Sequence, residues 1–192
     1  MKFHSTHSFP SPSHLFRMNI PSIAISPLLL RPWTPEDAPA LFKILQEPGI
    51  LKYFPHTSFT LEKTRRYIAH QLKHWQEHGF GHWAVVTSID GQVVGWNGLE
   101  YIPELDEVEI AYLLRGGVRG HGYATQAARL AVAFGFGTCA LPAIIGLVHP
   151  GNIPSIRVLE KCGLTYSDPV TLWGLDMHRN RVTQKELSSV LR

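Results

Sequence analysis

Residues 107–124 read Glu107-Val108-Glu109-Ile110-Ala111-Tyr112-Leu113-Leu114, then Arg115-Gly116-Gly117-Val118, then Arg119-Gly120-His121-Gly122-Tyr123-Ala124. An extended apolar run delivers the chain to a glycine-rich turn, and a helical pattern (Ala127, Leu130, Ala131, Phe134) begins directly after it. The first N–H groups of a helix have no internal partners and lie at the positive end of its dipole, which suits such a turn to a phosphate. Glycines at 120 and 122 let main chain approach a pyrophosphate, and Arg119 adds a charged donor. The wider segment 115–161 sets Arg115, Arg119, Arg129, Arg157 and Lys161 against a single acid, Glu160. That local excess suits an anionic, phosphorylated ligand.

Several loops bind phosphate. A P-loop needs a lysine after its last glycine, and no lysine lies between Lys73 and Lys161. A dinucleotide fold needs a third glycine where Thr125 stands, and an acid for the ribose hydroxyl, whereas 123–159 holds no Asp or Glu. A glycine turn without ligand is the remaining bland alternative.

Arg119-x-x-Gly122-x-Ala124 resembles the Gln/Arg-x-x-Gly-x-Gly/Ala signature of the GNAT N-acetyltransferases, in the same strand–loop–helix setting. Further stretches are similar in the same order. Leu30-Arg31-Pro32-Trp33 with Glu36-Asp37-Ala38 resembles the family's opening, and Asn152-Ile153-Pro154-Ser155 with Leu159-Glu160-Lys161-Cys162-Gly163-Leu164 resembles its "N-x-x-S…LEKxGF" helix. The resemblance spans roughly residues 26–180 and is nearest to the ribosomal-protein alanine/serine N-acetyltransferase branch. It implies acetyl-CoA as acetyl donor and an amine as acceptor. It also implies strands 107–114 and 144–148 splayed apart around the pantetheine arm. Main chain at Leu113 and Leu114 would pair with the arm, the Leu114 N–H facing a developing oxyanion. Arg119, Gly120, His121, Gly122, Tyr123 and Ala124 would hold the pyrophosphate, and Asn152 would meet the arm from the other side.

Attack by an amine needs a base. Glu109 is the candidate, on a strand face shared with Glu107, Ala111 and Leu113; the same residue could simply pair across the sheet. The leaving thiolate needs a proton donor. Many family members place a tyrosine seven residues after the asparagine, but that position here is Leu159. Ser155 is the substitute candidate, although a hydroxyl in the first turn of a helix could equally be a structural feature. The missing tyrosine keeps a second class open: a coenzyme-A-binding sensor or interaction module without turnover. Trp33, Tyr53, Phe54 and Trp96 are candidates for the acceptor entrance, or else core aromatics. His70, His74 and His78 recur at a spacing that could hold zinc, or form a solvated helix face opposite Ile68 and Leu72.

Positioning these groups takes a mixed, mostly antiparallel α/β sheet with helices on both faces, the single-domain GNAT fold. A strand at Leu28–Arg31 leads to a helix opened by Thr34-Pro35-Glu36-Asp37, and a second helix spans Leu61–His78 with Gly79 as its stop. Strands follow at Trp83–Thr87, Val93–Leu99 and Glu107–Leu114, with Asp90-Gly91 turning the first pair. After the loop come a helix from Tyr123 to about Phe136, a strand Ile144–Val148, a helix Asn152–Cys162 and a last strand Thr171–Met177. The domain is expected at 25–181. A flexible extension rich in His, Ser and Pro occupies 1–24, and a terminal segment with a short helix occupies 182–192.

At 192 residues and 44% hydrophobic content the chain supports one core. A net charge of +3 is too mild for nucleic acid, and no apolar run reaches the ~20 residues of a membrane span. Cys139 and Cys162 form no Cys-x-x-Cys pair and read as small buried apolar residues of a reduced, cytoplasmic protein, monomeric or homodimeric.

Overall fold

The computed structural model describes residues 20–55 and 58–190. β1 (Ile23–Ile25) folds back on β2 (Leu28–Arg31), so the first strand begins two residues inside the expected extension. Pro21 is also held, its carbonyl accepting the Trp83 indole N–H at 2.8 Å. The remainder of the expected extension, residues 1–19, lies outside the described residues. At the corner after β2, Thr34 caps a 3-10 turn, Pro35–Asp37, that runs into α1 (Ala38–Leu45). Asp37 receives the Arg31 guanidinium on both oxygens, at 2.7 and 2.8 Å, a bidentate pair that fixes the angle between strand and helix.

α2 (Leu61–His78) starts where the Thr60 hydroxyl accepts the Lys63 N–H, and it ends at Gly79 in the left-handed region. β3 (His82–Thr87), β4 (Val93–Ile102) and β5 (Glu107–Leu114) form an antiparallel meander. β4 runs three residues beyond its expected end because β5 pairs with it down to Ile102↔Glu107. α3 (Tyr123–Gly137) crosses to β6 (Ala143–Val148), parallel to β5, and α4 (Ile153–Lys161) follows. The expected last strand is instead a hairpin. Trp173 and Gly174 both adopt positive φ, at 51° and 76°, and divide the stretch into β7 (Thr165–Leu172) and β8 (Leu175–Thr183). Hydrophobic alternation runs through that turn, and Trp-Gly is a weak turn signal, so the sequence reads as one strand. α5 (Gln184–Val190) is the short terminal helix expected there.

The strands lie in the order β1-β2-β3-β4-β5-β6-β8-β7, one open sheet with two cores. One core joins Ile110 and Leu114 of β5 to Ala127, Ala128, Ala131 and Phe136 of α3 and to Leu159 of α4. The other joins Leu113 of β5 to Trp96 of β4 and to Ala38, Leu41 and Ile44 of α1. The two faces of β5 therefore bury different helices, as strand alternation requires. Gly146 shows how closely α4 is drawn in: a Cβ there would stand 2.6 Å from the Leu159 side chain.

Candidate active site

β4 and β5 stay in register from Gly95↔Leu114 to Ile102↔Glu107, whereas β5 and β6 share the single pair Glu109↔Ile145. Beyond it towards Leu114 the strands part. The Glu109 carboxylate stands at the fork, accepting the Leu147 N–H of β6 at 3.1 Å in place of a strand carbonyl. The Arg115 N–H donates to the Val94 carbonyl at 2.9 Å, which sets the parity of hydrogen bonding along β5. Main-chain groups of Leu113 therefore face β4, and those of Tyr112 and Leu114 face the gap. Arg119 Nε donates to the Leu114 carbonyl at 2.9 Å, so the group Leu114 presents to the gap is its N–H.

The loop that closes this end is shaped by two residues in the left-handed region, Gly120 (φ 85°) and Gly122 (φ 78°). Gly122 is the first cap of α3; no side chain caps that helix and its first turn carries no acid. Its early N–H groups stay directed into the loop, where an anion would satisfy them. His121 and Tyr123 stack at 5.3 Å beside them. Arg115 leaves the local basic excess, because Glu47 lies 3.2 Å from its guanidinium and accepts the Gly116 N–H at 2.8 Å.

Across the gap, Asn152 caps α4, its Oδ1 accepting the Ser155 N–H at 3.4 Å. The Ser155 hydroxyl lies 2.9 Å from the Tyr112 hydroxyl, which is also 3.1 Å from the Ser155 carbonyl. Burial pushes the Tyr112 phenol up, so it stays protonated. This contact ties β5 to α4 over 43 residues of sequence, and no spacing rule could have announced it. Tyr53, from the segment after α1, spans the mouth: its hydroxyl donates to the Gly151 carbonyl at 2.9 Å and its ring sits 5.1 Å from His149.

Glu109 is buried, and that burial pushes its carboxyl up to about 8. Its sheet face carries Trp96, Glu100 and His82, with Tyr67 of α2 packed against them. Of the expected entrance aromatics, Trp33 and Trp96 are buried in the α1 core and Phe54 is half-buried, 6.1 Å from Trp96. The histidine stripe is not one solvated face. His74 is buried, with Nδ1 bonded to the Phe80 carbonyl (2.8 Å) and Nε2 to the Tyr101 N–H (3.1 Å). Among the described residues no group of three or more His, Cys, Asp or Glu could hold a metal ion. Cys162 is buried as expected, but Cys139 is only half-buried.

The sheet forks between two parallel strands, and an uncapped helix start stands at the fork's open end, an α/β fold whose cleft ends on unpaired helix donors. The family model described as "Acetyltransferase (GNAT) domain" matches residues 27–165. This chain belongs to that family and is an acetyl-CoA-dependent acetyltransferase. It is 29% identical over 147 residues to YkkB of Bacillus subtilis, covering 75% of this chain and 85% of that one. It is similar to the crystal structure of an acetyltransferase from Agrobacterium tumefaciens (TM-score 0.75, 27% identity, 95% of this chain and 100% of that one). The fold is also shared with RimL, the ribosomal L7/L12 α-N-protein acetyltransferase solved with coenzyme A (TM-score 0.71, 16% identity, 85% and 97%). No helix among the described residues is long and apolar enough to cross a membrane.

Proposed function

We propose that this chain moves the acetyl group of acetyl-CoA directly onto a primary amine, with Glu109 as base. The observation that carries this reading is the buried Glu109 carboxyl at the fork between β5 and β6, beside the gap into which the Leu114 N–H points. Gly120, His121, Gly122, Tyr123 and Ala124 offer main-chain donors to the pyrophosphate, and the outer nitrogens of Arg119 add charge. In the gap, main chain of Tyr112 serves the pantetheine amides better than Leu113, whose groups are spent on β4, and the Leu114 N–H is kept for the thioester carbonyl. The Asn152 amide nitrogen faces the same arm from α4.

Glu109 takes a proton from the ammonium, and the freed nitrogen attacks the thioester carbon. The Leu114 N–H meets the negative charge that develops on the carbonyl oxygen. As the carbon–sulfur bond breaks, Ser155 gives its hydroxyl proton to the sulfur and recovers one from the second N–H of the adduct, which leaves a neutral amide. For that step the Tyr112 hydrogen, which the Ser155 carbonyl accepts at 3.1 Å, turns to Ser155 Oγ at 2.9 Å, freeing the serine's own hydrogen and steadying charge on its oxygen. Leu159, where many relatives carry a tyrosine, is packed over Gly146, so the phenol comes from β5 instead. Half-buried Phe54, set against Trp96 on the Glu109 face, walls the acceptor side, and Trp33 backs it from the core.

An amino-terminal peptide is the acceptor class to test first, because ribosomal-protein N-acetyltransferases are among the solved structures that share this fold. The test is thiol release from acetyl-CoA with amino-terminal peptides, polyamines and amino sugars in parallel, and peptides are expected to lead. Binding of acetyl-CoA with no release to any amine would mark a sensor rather than an enzyme.

A further inference from the structure

Glu100 stands directly opposite Glu109 across the β4–β5 pair, so both carboxyls project from one face, their Cβ atoms about 5 Å apart. Two like charges so placed oppose each other and are destabilising unless the surroundings compensate. The surroundings of Glu100 are built from α2 and β3. Gln71 donates to its Oε1 at 3.3 Å and anchors itself by accepting the His82 main-chain N–H at 2.9 Å. His82 is 2% exposed and stacks on Trp96 at 4.5 Å; its Nδ1 lies 2.8 Å from the Tyr67 hydroxyl. Its other nitrogen, Nε2, is buried with no hydrogen-bond partner and lies 3.5 Å from Glu100 Oε2. On the outer side, the exposed His70 brings Nδ1 to 3.7 Å from Glu100 Oε1. A chain of titratable groups thus runs from the buried Glu109 to the surface.

We infer that Glu100 is the relay partner of Glu109, taking over the proton removed from the amine and passing it out along His70 to water. The inference rests on Glu109 being the base. The transfer is balanced: the ammonium N–H breaks as a Glu109 O–H forms, then that proton moves to the Glu100 carboxylate, then to the His70 imidazole or to water. Glu109 is left as a carboxylate for the next turnover. His82 accommodates both states of Glu100. A neutral imidazole has one donor and one acceptor nitrogen. With Tyr67 donating to Nδ1, the hydrogen sits on Nε2 and faces a Glu100 carboxylate. With Nδ1 donating to Tyr67, Nε2 accepts from a protonated Glu100.

Burial lowers the His82 imidazole to about 3, which keeps it neutral, and burial raises the Glu100 carboxyl. Beyond burial, the Glu100 charge also raises Glu109. The other ionisable groups on this face are accounted for: Glu107 is paired with Arg179 and Arg181, and His74 has both nitrogens committed to main chain. Glu100 acts through Glu109 and is a positioning residue.

The test is Glu100→Gln in the full chain, which preserves shape and the approach to Gln71. The acid limb of kcat/KM is expected at lower pH than in the unsubstituted protein, and kcat roughly tenfold lower in dilute buffer. A small diffusible buffer such as imidazole should restore the rate, and Glu100→Asp should recover part of it without buffer. Independently of turnover, ¹³C NMR of the Glu109 carboxyl should show a lower titration midpoint in the variant. An unmoved limb and an unmoved midpoint would overturn the relay, even with a loss of rate. If Glu109→Gln is itself near unsubstituted activity, the base reading has failed; if only Glu100→Gln is silent, the relay alone has.

Discussion

The two ends of the cleft are made of different material. At the α3 end the site is main chain: an uncapped helix start, glycines at φ 85° and 78°, and one N–H from Leu114. At the β6 end it is side chain: Glu109 on the Leu147 N–H, Tyr112 on Ser155, and Glu100 within reach of His82. Main chain can hold the part of a cofactor that never changes, because amide donors have no protonation state to manage. Side chains in a buried setting carry the part where protons move, since burial moves their acidity and neighbours tune it.

This contrast predicts separable failures. The largest is at the side-chain end. Glu109→Gln should lower kcat/KM by about 10²–10⁴-fold, measured in steady state with an accepted peptide, while the Kd for acetyl-CoA by calorimetry stays put. At the main-chain end the pattern should reverse. Valine at 122 cannot hold φ 78°, so Gly122→Val should weaken coenzyme A binding by at least ~10-fold in calorimetry, with near-ultraviolet circular dichroism preserved. Unchanged affinity would remove the loop from the cofactor site and dissolve the contrast.

Smaller effects sharpen the comparison. Tyr112→Phe should reduce kcat about tenfold at constant KM for acetyl-CoA, and Ser155→Ala by a similar factor. If the hydroxyls act as a unit, the double variant should be hardly worse than either single one. Fully additive losses would mean two independent roles. The smallest effect is on stability. Burial holds the Glu109 carboxyl at about 8, above its unfolded value of 4.5, so the folded chain binds more protons between those limits. Stability is fully present below pH 4.5 and is lost as pH rises through about 8. Glu109→Gln removes that loss. Its Tm at pH 8.5 should exceed that of the unsubstituted protein by ~3 °C or more in scanning calorimetry, with the gap closing in acid.

The same division decides what the sequence discloses. Gly120, Gly122 and the absence of acids from 123–159 are local features, and the loop's local conformation follows from them. Glu107–Leu114 comes out with its full length because a strand between a turn and a glycine loop is bounded on both sides. The Tyr112–Ser155 bond and the Glu100–Glu109 pair depend on cross-strand register and on helix seating, both set by tertiary packing. His74 illustrates the limit in another way. Its spacing on α2 reads as surface, but the carbonyl of Phe80 and the N–H of Tyr101 draw it inside. The β7–β8 hairpin escapes for want of a strong turn dipeptide at Trp173-Gly174.

The central claim is that Glu109 removes the amine's proton. The most direct measurement is the pH dependence of kcat/KM for two peptides whose α-amines differ in basicity, with the unsubstituted protein and Glu109→Gln side by side. The account predicts an acid limb near pH 8 that stays in place when the peptide is changed and disappears in the variant. A limb that follows the peptide's own amine and persists in Glu109→Gln would contradict it.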